Sequence, residues 1–164
     1  MIRTLTQEEL FTFYGDPSRY VREDGGVAPG WETEILSWCH LPAPLPLAWE
    51  MSRSVIKFRC HKRIALGLES VFRAIALVPE AWATLGDFGG CYAWRTQRGS
   101  RRKLSLHCWG LAVDSDVADN PMGGPPRVHP VTLAAFEAGG FFWGGNFSDP
   151  KRKDPQHWEK GVTA

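Results

Sequence analysis

The sequence predicts an α+β fold in which a small antiparallel sheet bears a functional site and helices pack on one side of it. The segment between Val55 and Leu77 has the apolar spacing of a long helix. Short segments with strand-like patterns follow, separated by glycine and proline turns. Histidines and carboxylates cluster on two of these segments, 105–114 and 154–159, and this clustering places the site on the sheet.

The length and composition indicate a single domain. The chain has 164 residues, enough for one hydrophobic core, and a net charge of +1 at pH 7. We expect one domain over 1–164, with a helix and a Pro/Gly-rich wrapping segment over 1–54 and the functional core over 55–164. The balanced charge does not indicate a nucleic-acid partner, and we expect a monomer.

Two further properties of the sequence indicate the cellular compartment in which the chain is made. No stretch is apolar enough to predict a membrane span, and Met1–Thr4 opens into polar sequence without the features of a signal peptide. We therefore expect synthesis in the cytoplasm, with mostly reduced core cysteines. These cysteines are Cys39, Cys60, Cys91 and Cys108. A structural zinc site at the two Cys-His pairs is disfavoured because such ligands normally lie two to four residues apart.

The N-terminal part predicts two helices and an extended stretch. Thr6–Glu9 has the pattern of a capping box, so a short helix should begin there, and Gly15 should end it. Leu41–Pro46 is rich in proline and is expected to wrap over the domain rather than act as a lid. The main core helix should begin near His61 and bury its apolar face. That face consists of Ile64, Leu68, Val71, Phe72 and Ile75.

The C-terminal part predicts short strands joined by loops. Asp87–Gly90 indicates a turn into a strand over Cys91–Arg95, and the basic run 95–103 indicates a solvated hairpin tip. Pro130 indicates the start of a helix. Further short strands are expected at Phe141–Gly145 and His157–Glu159.

The first motif is Ser-x-His-x-x-Gly-x-Ala-x-Asp, over Ser105–Asp114. An unbroken strand would hold His107 and Asp114 roughly 23 Å apart, and a straight helix would hold their Cα atoms roughly 10 Å apart. Since neither geometry suits one shared ion, we expect a bend at Gly110. Beyond the bend, small residues on the strand face of Asp114 leave room for an ion and a substrate. Asp116 shares that face and is the alternative ligand.

The second motif, Asp154–Glu159, supplies another histidine. Together, His107, Asp114 and His157 would offer two imidazoles and a carboxylate, a set that suits catalytic zinc with an open fourth position. Ser105 is expected to share a strand face with His107 and to contact the substrate or support the ligands. We do not expect it to be a nucleophile, because no acid–base partner lies beside it.

The paired motifs resemble the zinc-dependent D-alanyl-D-alanine carboxypeptidase family (peptidase family M15), which also contains the L-alanyl-D-glutamate endopeptidases of phage endolysins. Gly90–Arg95 resembles the family segment that carries an arginine ahead of the first ligand. Gly140–Gly145 resembles the Gly-Phe-x-Trp-Gly-Gly stretch of the endolysin-like branch. The resemblance covers the C-terminal part of the chain well and the helix before it more loosely.

This resemblance implies a zinc metallopeptidase of DD-peptidase/hedgehog-like fold that acts on peptidoglycan stem peptides. It implies Zn²⁺ as the cofactor and Asp154 as the general base, with Glu159 as the weaker candidate for that role. Arg95 resembles the arginine that stabilises the developing oxyanion. Its rivals in the basic loop are Arg98, Arg101 and Arg102. The implied zinc ligands are His107, Asp114 and His157.

The scissile bond has two candidates. The absent signal peptide, the small size and the Phe-x-Trp-Gly-Gly stretch favour an L-alanyl-D-glutamate endopeptidase of phage-endolysin type that reaches the bacterial cell wall by holin-type release. A D-alanyl-D-alanine carboxypeptidase is the alternative within the enzyme class. A non-catalytic cell-wall-binding module is the alternative of another class, although such a module would not need the carboxylate of Asp154. The basic loop has two further interpretations, contact with an anionic wall polymer and, less favoured, with a phosphate backbone.

Overall fold

The computed structural model describes residues 1–163 and shows an α+β architecture built on one seven-stranded sheet. The last residue of the expected domain, Ala164, lies outside the described residues. The strands are β1 (Ile2–Thr4), β2 (Leu36–Leu47), β3 (Glu50–His61), β4 (Phe88–Gly90), β5 (Ala112–Ser115), β6 (Phe141–Trp143) and β7 (His157–Thr163). The helices are α1 (Gln7–Tyr14), α2 (Pro29–Ile35), α3 (Ala65–Ala76), α4 (Pro79–Thr84) and α5 (Pro130–Ala138).

The sheet has the strand order β1-β7-β5-β4-β2-β3, and β6 pairs with β7 beside this path. All pairs are antiparallel except β2 and β4, which meet in parallel at Leu47 and Phe88. The predicted α+β class is therefore confirmed, with a mixed rather than purely antiparallel sheet. Within the described residues, no helix is both long and apolar enough to cross a membrane.

The main core lies between the sheet and a layer formed by α3, α4 and α5. Phe72 of α3, Phe136 of α5 and Trp158 of β7 are fully buried there. The rings of Phe136 and Trp158 stack with their centroids 4.2 Å apart. Burial of each such side chain contributes about 1.5–3 kcal/mol, so this cluster fixes β7, a strand that also carries His157, against the helical layer.

The main helix begins later than predicted. The expected start, His61, is the last residue of β3, and α3 starts only at Ala65. His61 is buried, and its backbone N–H donates to the carbonyl of Gly110, so this segment is tied to the sheet side of the molecule. The predicted apolar face of the helix is confirmed by the burial of Leu68 and Phe72.

The proline-rich stretch Leu41–Pro46 is not a wrap over the domain but part of β2, paired with β3. The pairing register slips between His40 and Leu45. Pro42 and Pro44 fall in that slip, where the missing N–H groups of proline cost no ladder hydrogen bond. An extended conformation was therefore predicted correctly, whereas its pairing partner was not.

The predicted strand Cys91–Arg95 is also wrong, because the strand is β4, at Phe88–Gly90. This strand pairs with β5, with Gly90 opposite Asp114. A Cβ atom on Gly89 would lie 2.9 Å from the Cβ of Asp114, so only glycine permits this approach. The glycine pair, expected to form a turn, instead supports the strand that carries Asp114.

The N-terminal helix forms as predicted. The hydroxyl of Thr6 accepts from the backbone N–H of Glu9 at 3.2 Å, and the Glu9 carboxylate accepts from the N–H of Thr6 at 2.8 Å. Gly15 ends the helix with a φ of 102°. The ring of Phe11 then packs against Trp109, which brings α1 beside the segment that carries His107. All four cysteines are buried free thiols, in agreement with the expectation that they are reduced.

Candidate metal centre

The first histidine is presented by a short 3₁₀ helix, Leu106–Trp109, that is closed by Gly110. Gly110 has a φ of 64°, in the left-handed region, and its N–H donates to the carbonyl of His107. The predicted bend at this glycine is therefore present. It turns the chain directly into β5, which begins at Ala112 and places Asp114 beside His107.

One ring nitrogen of His107 forms a hydrogen bond, and the other has no hydrogen-bond partner. Its Nδ1 lies 2.6 Å from the carbonyl oxygen of Cys91, which can only accept, so Nδ1 carries the proton. The buried Nε2 is left as a lone pair without a hydrogen-bond partner. It lies 3.3 Å from Oδ2 of Asp114. An unprotonated imidazole nitrogen that is buried beside a carboxylate is the arrangement that a metal ligand requires.

The other two residues face each other across the sheet. Asp114 of β5 is paired in register with His157 of β7. Nδ1 of His157 lies 2.9 Å from Oδ1 of Asp114, and its Nε2 lies 3.0 Å from Oε2 of Glu159. Strand register alone therefore sets one imidazole against the carboxylate, and Glu159 holds the far side of the ring.

The charges of these groups depend on one another. Burial disfavours the ionised form of Asp114, but the neighbouring imidazoles of His107 and His157 lower the pKa of this carboxyl below its usual range. Burial likewise disfavours a charged His157, but hydrogen bonds to Asp114 and Glu159 raise the pKa of this imidazole to about 10. The site thus stabilises positive charge between two carboxylates, which is also what a bound cation would supply.

The donor atoms of His107, Asp114 and His157 all lie within 4.8 Å of one another. Two imidazole nitrogens and one carboxylate oxygen form a set that fits Zn²⁺. The alternative ligand Asp116 does not join this group. Its backbone turns away with a φ of 52°, and its carboxylate accepts from the side-chain amide of Asn120 at 2.6 Å.

Asp154 stands beside the centre on a turn into β7. The N–H of His157 donates to the carbonyl of Asp154 at 3.0 Å, so the expected turn is present. Its carboxylate atom Oδ1 is buried and has no hydrogen-bond partner. Burial raises the pKa of this carboxyl, whereas the positive charges of His157 and Arg98 lower it, and the net shift is upward. Such a carboxylate is well suited to accept a proton.

Ser105 does not share a strand face with His107 as predicted. It precedes the 3₁₀ helix, and its hydroxyl accepts from the N–H of His107 at 3.4 Å. The local turn is favoured because a serine at this position satisfies a free N–H of the first turn. Ser105 is buried and lines the cleft in front of the centre.

A cleft of about 1010 Å³ opens onto these residues. Its lining includes Asp114, Asp154 and His157 together with residues 4–7 and Leu10 of the N-terminal segment. Arg95 is exposed and also lines the cleft. Of its three rivals, Arg98 and Arg102 line the cleft and Arg101 does not.

A comparison with protein families agrees with this geometry. A family model described as D-alanyl-D-alanine carboxypeptidase matches residues 98–160, the segment that contains both motifs. Over this segment the chain is similar to the M15 peptidase family. It supports peptidase activity toward peptidoglycan in general terms and indicates a metallopeptidase. Searches among curated proteins and among solved structures gave no match.

Three features of this site were missed or misjudged from sequence. Glu159 was considered only as a base, although the His-x-Glu spacing on a strand places it on the same face as His157. The carbonyl of Cys91 carries no sequence signal, because any residue could supply it. The N-terminal segment Thr4–Leu10 was not expected to wall the cleft, since nothing in its pattern indicates where helix α1 docks.

Proposed function

We propose that this chain is a zinc-dependent hydrolase of peptidoglycan stem peptides and that it acts as an L-alanyl-D-glutamate endopeptidase of phage-endolysin type. One observation carries the proposal. The unpartnered Nε2 of His107 meets Asp114 and His157 within 4.8 Å, beside the unpartnered carboxylate atom Oδ1 of Asp154. Ligands alone would fit a structural ion, and a carboxylate alone would fit many sites. Their combination in one cleft fits hydrolysis.

In this proposal, His107, Asp114 and His157 hold Zn²⁺ through Nε2, a carboxylate oxygen and Nδ1. When bound, the ion supplies Lewis acidity that activates water and polarises the scissile carbonyl. The two imidazole nitrogens that would face away from the ion each have a hydrogen-bond acceptor. The Cys91 carbonyl accepts from Nδ1 of His107, which leaves a lone pair on the inward Nε2. Glu159 accepts from Nε2 of His157, and the inward Nδ1 of that ring would give up its own proton when the ion binds.

Asp154 is assigned the role of general base. Its Oδ1 has no other hydrogen-bond partner to give up, and partial burial makes it more basic than a solvated carboxylate. It would take a proton from the attacking water and return that proton to the nitrogen of the leaving amine, which completes the hydrolysis. Glu159 does not fit this role as well, because His157 occupies its carboxylate.

Arg95 and Ser105 are assigned to the substrate. The guanidinium of Arg95 has no ion-pair partner among the described residues and lines the cleft, so it can approach the carbonyl oxygen as negative charge develops there. The hydroxyl of Ser105 lines the same cleft and is proposed to contact the peptide while it caps the turn before His107.

Cleavage between D-alanine residues is the second candidate, favoured by the description of the matching family model. Both reactions would use the same centre and would differ in which stem bond reaches it. In either case the substrate is in the bacterial cell wall, and we propose holin-type release for a chain made in the cytoplasm. A non-catalytic wall-binding module would need the three metal ligands but would have no role for the carboxylate of Asp154.

The variant Asp154→Asn tests the proposal. Wild-type protein should release stem-peptide fragments from purified peptidoglycan, and the variant should release none while it retains one equivalent of zinc. Metal content is measured by mass spectrometry, and Asp119→Asn, a change in an exposed carboxylate outside the cleft lining, serves as the control. A zinc-replete variant with wild-type turnover would rule out Asp154 as the base. Wall binding without cleavage by the wild type would favour the binding module.

A further inference from the structure

Arginines without an acidic partner are concentrated in one part of this molecule. Elsewhere, arginines pair with carboxylates, namely Arg3, Arg19, Arg22, Arg53, Arg59, Arg73 and Arg127. Arg63 donates to the carbonyl of Phe13. Among the described residues, the arginines whose side chains contact neither a carboxylate nor a carbonyl are Arg95, Arg98, Arg101, Arg102 and Arg152. All five belong to two loops at the cleft.

Besides Arg95, five cations of these loops line the cleft, and we name these five the rim cations. They are Arg98, Arg102 and Lys103 on the first loop and Lys151 and Arg152 on the second. All five side chains belong to exposed residues, and none forms an ion pair among the residues that the structure describes. Arg95 is set apart because it is already assigned to the reacting carbonyl.

Both loops are held by hydrogen bonds between their own residues. The first closes through an N–H···O bond of 2.7 Å from Gln97 to Lys103. The second is a 3₁₀ turn in which the carboxylate of Asp149 accepts from the N–H of Lys151 at 2.9 Å. The rim cations are therefore displayed from ordered turns rather than from free chain, which lowers the entropy cost of binding a ligand between them.

The acidic groups of the same cleft do not neutralise the rim cations. Asp149 caps its own turn, and Asp114 and Glu159 are engaged with His157. Arg98 is near enough to lower the pKa of Asp154, although burial raises it more. Six cations line the cleft against the four carboxylates of Asp114, Asp149, Asp154 and Glu159, so positive charge is in excess next to the reaction centre, in a chain whose net charge is only +1. An anion from outside would complete the cleft.

We propose that the rim cations bind free carboxylates of the peptide substrate beside the scissile bond, so that the protein prefers acidic stem peptides to their amidated forms. The inference rests on the proposed function and specifies its substrate. A peptide is favoured over a phosphate-bearing wall polymer because the rim cations share one cleft with Asp154 and His157. The glutamate after the proposed scissile bond carries such a carboxylate, and guanidinium groups bind carboxylates with two parallel hydrogen bonds.

The test compares two substrates and three zinc-loaded proteins. The substrates are a synthetic stem pentapeptide with free carboxylates and the same peptide with those groups converted to carboxamides. The proteins are wild type, the double variant Arg98→Gln/Arg102→Gln, and the control Arg101→Gln, which changes an exposed arginine of the same loop outside the cleft lining. Initial rates give kcat and KM for each combination at low and at high ionic strength.

We expect the wild type to favour the acidic peptide. The double variant should lose about tenfold in kcat/KM on that peptide, mostly through KM, and should lose about twofold or less on the amidated peptide. The control should match the wild type on both peptides. The preference should also shrink at high ionic strength, because the rim cations are exposed and screened by salt.

Three outcomes would overturn the inference. The double variant could lose kcat/KM equally on both peptides, or lose none on either peptide. It could also bind a phosphate-bearing wall polymer less tightly while its peptide kinetics stay unchanged. Calorimetry on zinc-loaded Asp154→Asn separates this inference from the proposed function. If the Asp154→Asn variant binds the acidic peptide in a charge-dependent way and the wild type cleaves neither peptide, the carboxylate-binding role of the rim cations is upheld and the proposed hydrolase function is refuted. If the wild type cleaves the acidic and the amidated peptide equally well, the hydrolase function is upheld and the carboxylate-binding role of the rim cations is refuted.

Discussion

The carboxylate of Glu159 lies 3.0 Å from Nε2 of His157, two residues before it on β7, and both side chains are buried. Because side chains alternate along a strand, this spacing places both on one face of the sheet. The contact leaves Nδ1 of His157 to face Asp114 at 2.9 Å. Glu159 thereby fixes which nitrogen of the histidine is offered to a metal.

Removal of this carboxylate should weaken metal binding. We expect Glu159→Ala to lower zinc affinity about 10- to 100-fold, because the imidazole loses the partner that fixes its orientation and tautomer. Glu159→Gln should cost less, since its amide oxygen can still accept the Nε2 proton. Competition with a chromogenic chelator measures both. Wild-type affinity in the alanine variant would show that Glu159 does not position His157.

Gly110 should tolerate no side chain. Its φ is 64°, and an added Cβ would lie 2.8 Å from the backbone nitrogen of His61. We expect Gly110→Ala to lower the free energy of unfolding by about 2 kcal/mol or more. Gly67→Ala is the matched control, because Gly67 lies in α3 with open space around it and should gain about 0.5–1 kcal/mol. Urea denaturation measures both, and equal effects would contradict the account of the bend.

His61 should make stability depend on pH. Its Nε2 donates to the carbonyl of Tyr14, its Nδ1 accepts from the N–H of Arg63, and burial lowers the pKa of this imidazole from 6.5 to about 4. The unfolded chain therefore takes up the proton first. Stability present above pH 6.5 is lost as the pH falls toward 4, by up to about 3 kcal/mol.

The variant His61→Gln isolates this contribution. Glutamine keeps a donor for the Tyr14 carbonyl but does not titrate, so its unfolding free energy should fall less between pH 7 and pH 4 than that of the wild type. Both proteins are compared without metal, so that the titration of His157 contributes equally. Parallel pH profiles would show that His61 is not held neutral by the fold.

Arg95 should affect turnover more than binding. If its guanidinium stabilises charge that develops on the carbonyl oxygen, Arg95→Ala should lower kcat about 100-fold and change KM little. Arg101→Ala, in the same loop but outside the cleft lining, should leave both constants unchanged. A change confined to KM would move Arg95 from the oxyanion role to substrate binding.

The candidate site was largely predictable because its chemistry demands particular residues at particular spacings. His107 and Asp114 could share an ion only if the chain bent between them, and glycine is the residue that permits a left-handed bend. The structure has that bend at Gly110. His157 followed from the second motif, and strand pairing opposite Asp114 explains how the distant segments meet.

Elements fixed by tertiary contacts were less predictable. Residues 55–61 carry an apolar pattern that either a helix or a strand can satisfy, and pairing with β2 decides for the strand. The strand at Phe88–Gly90 was missed because its glycines have low strand propensity, and the need for Gly89 arises only from its close approach to Asp114. The docking of α1 beside the cleft depends on contacts such as Phe11 with Trp109, which no local pattern reveals.

The most direct test of the central claim is digestion of purified peptidoglycan by the full chain with and without a metal chelator, followed by mass spectrometry of the products. We predict release of stem peptides that lack L-alanine, with L-alanine left on the glycan, and loss of this release when chelator is present. Zinc added back should restore it. Release of D-alanine alone would assign the same centre to the carboxypeptidase reaction. Cleavage that persists at full strength in metal-free protein would contradict the claim that His107, Asp114 and His157 form the metal centre of a zinc peptidase.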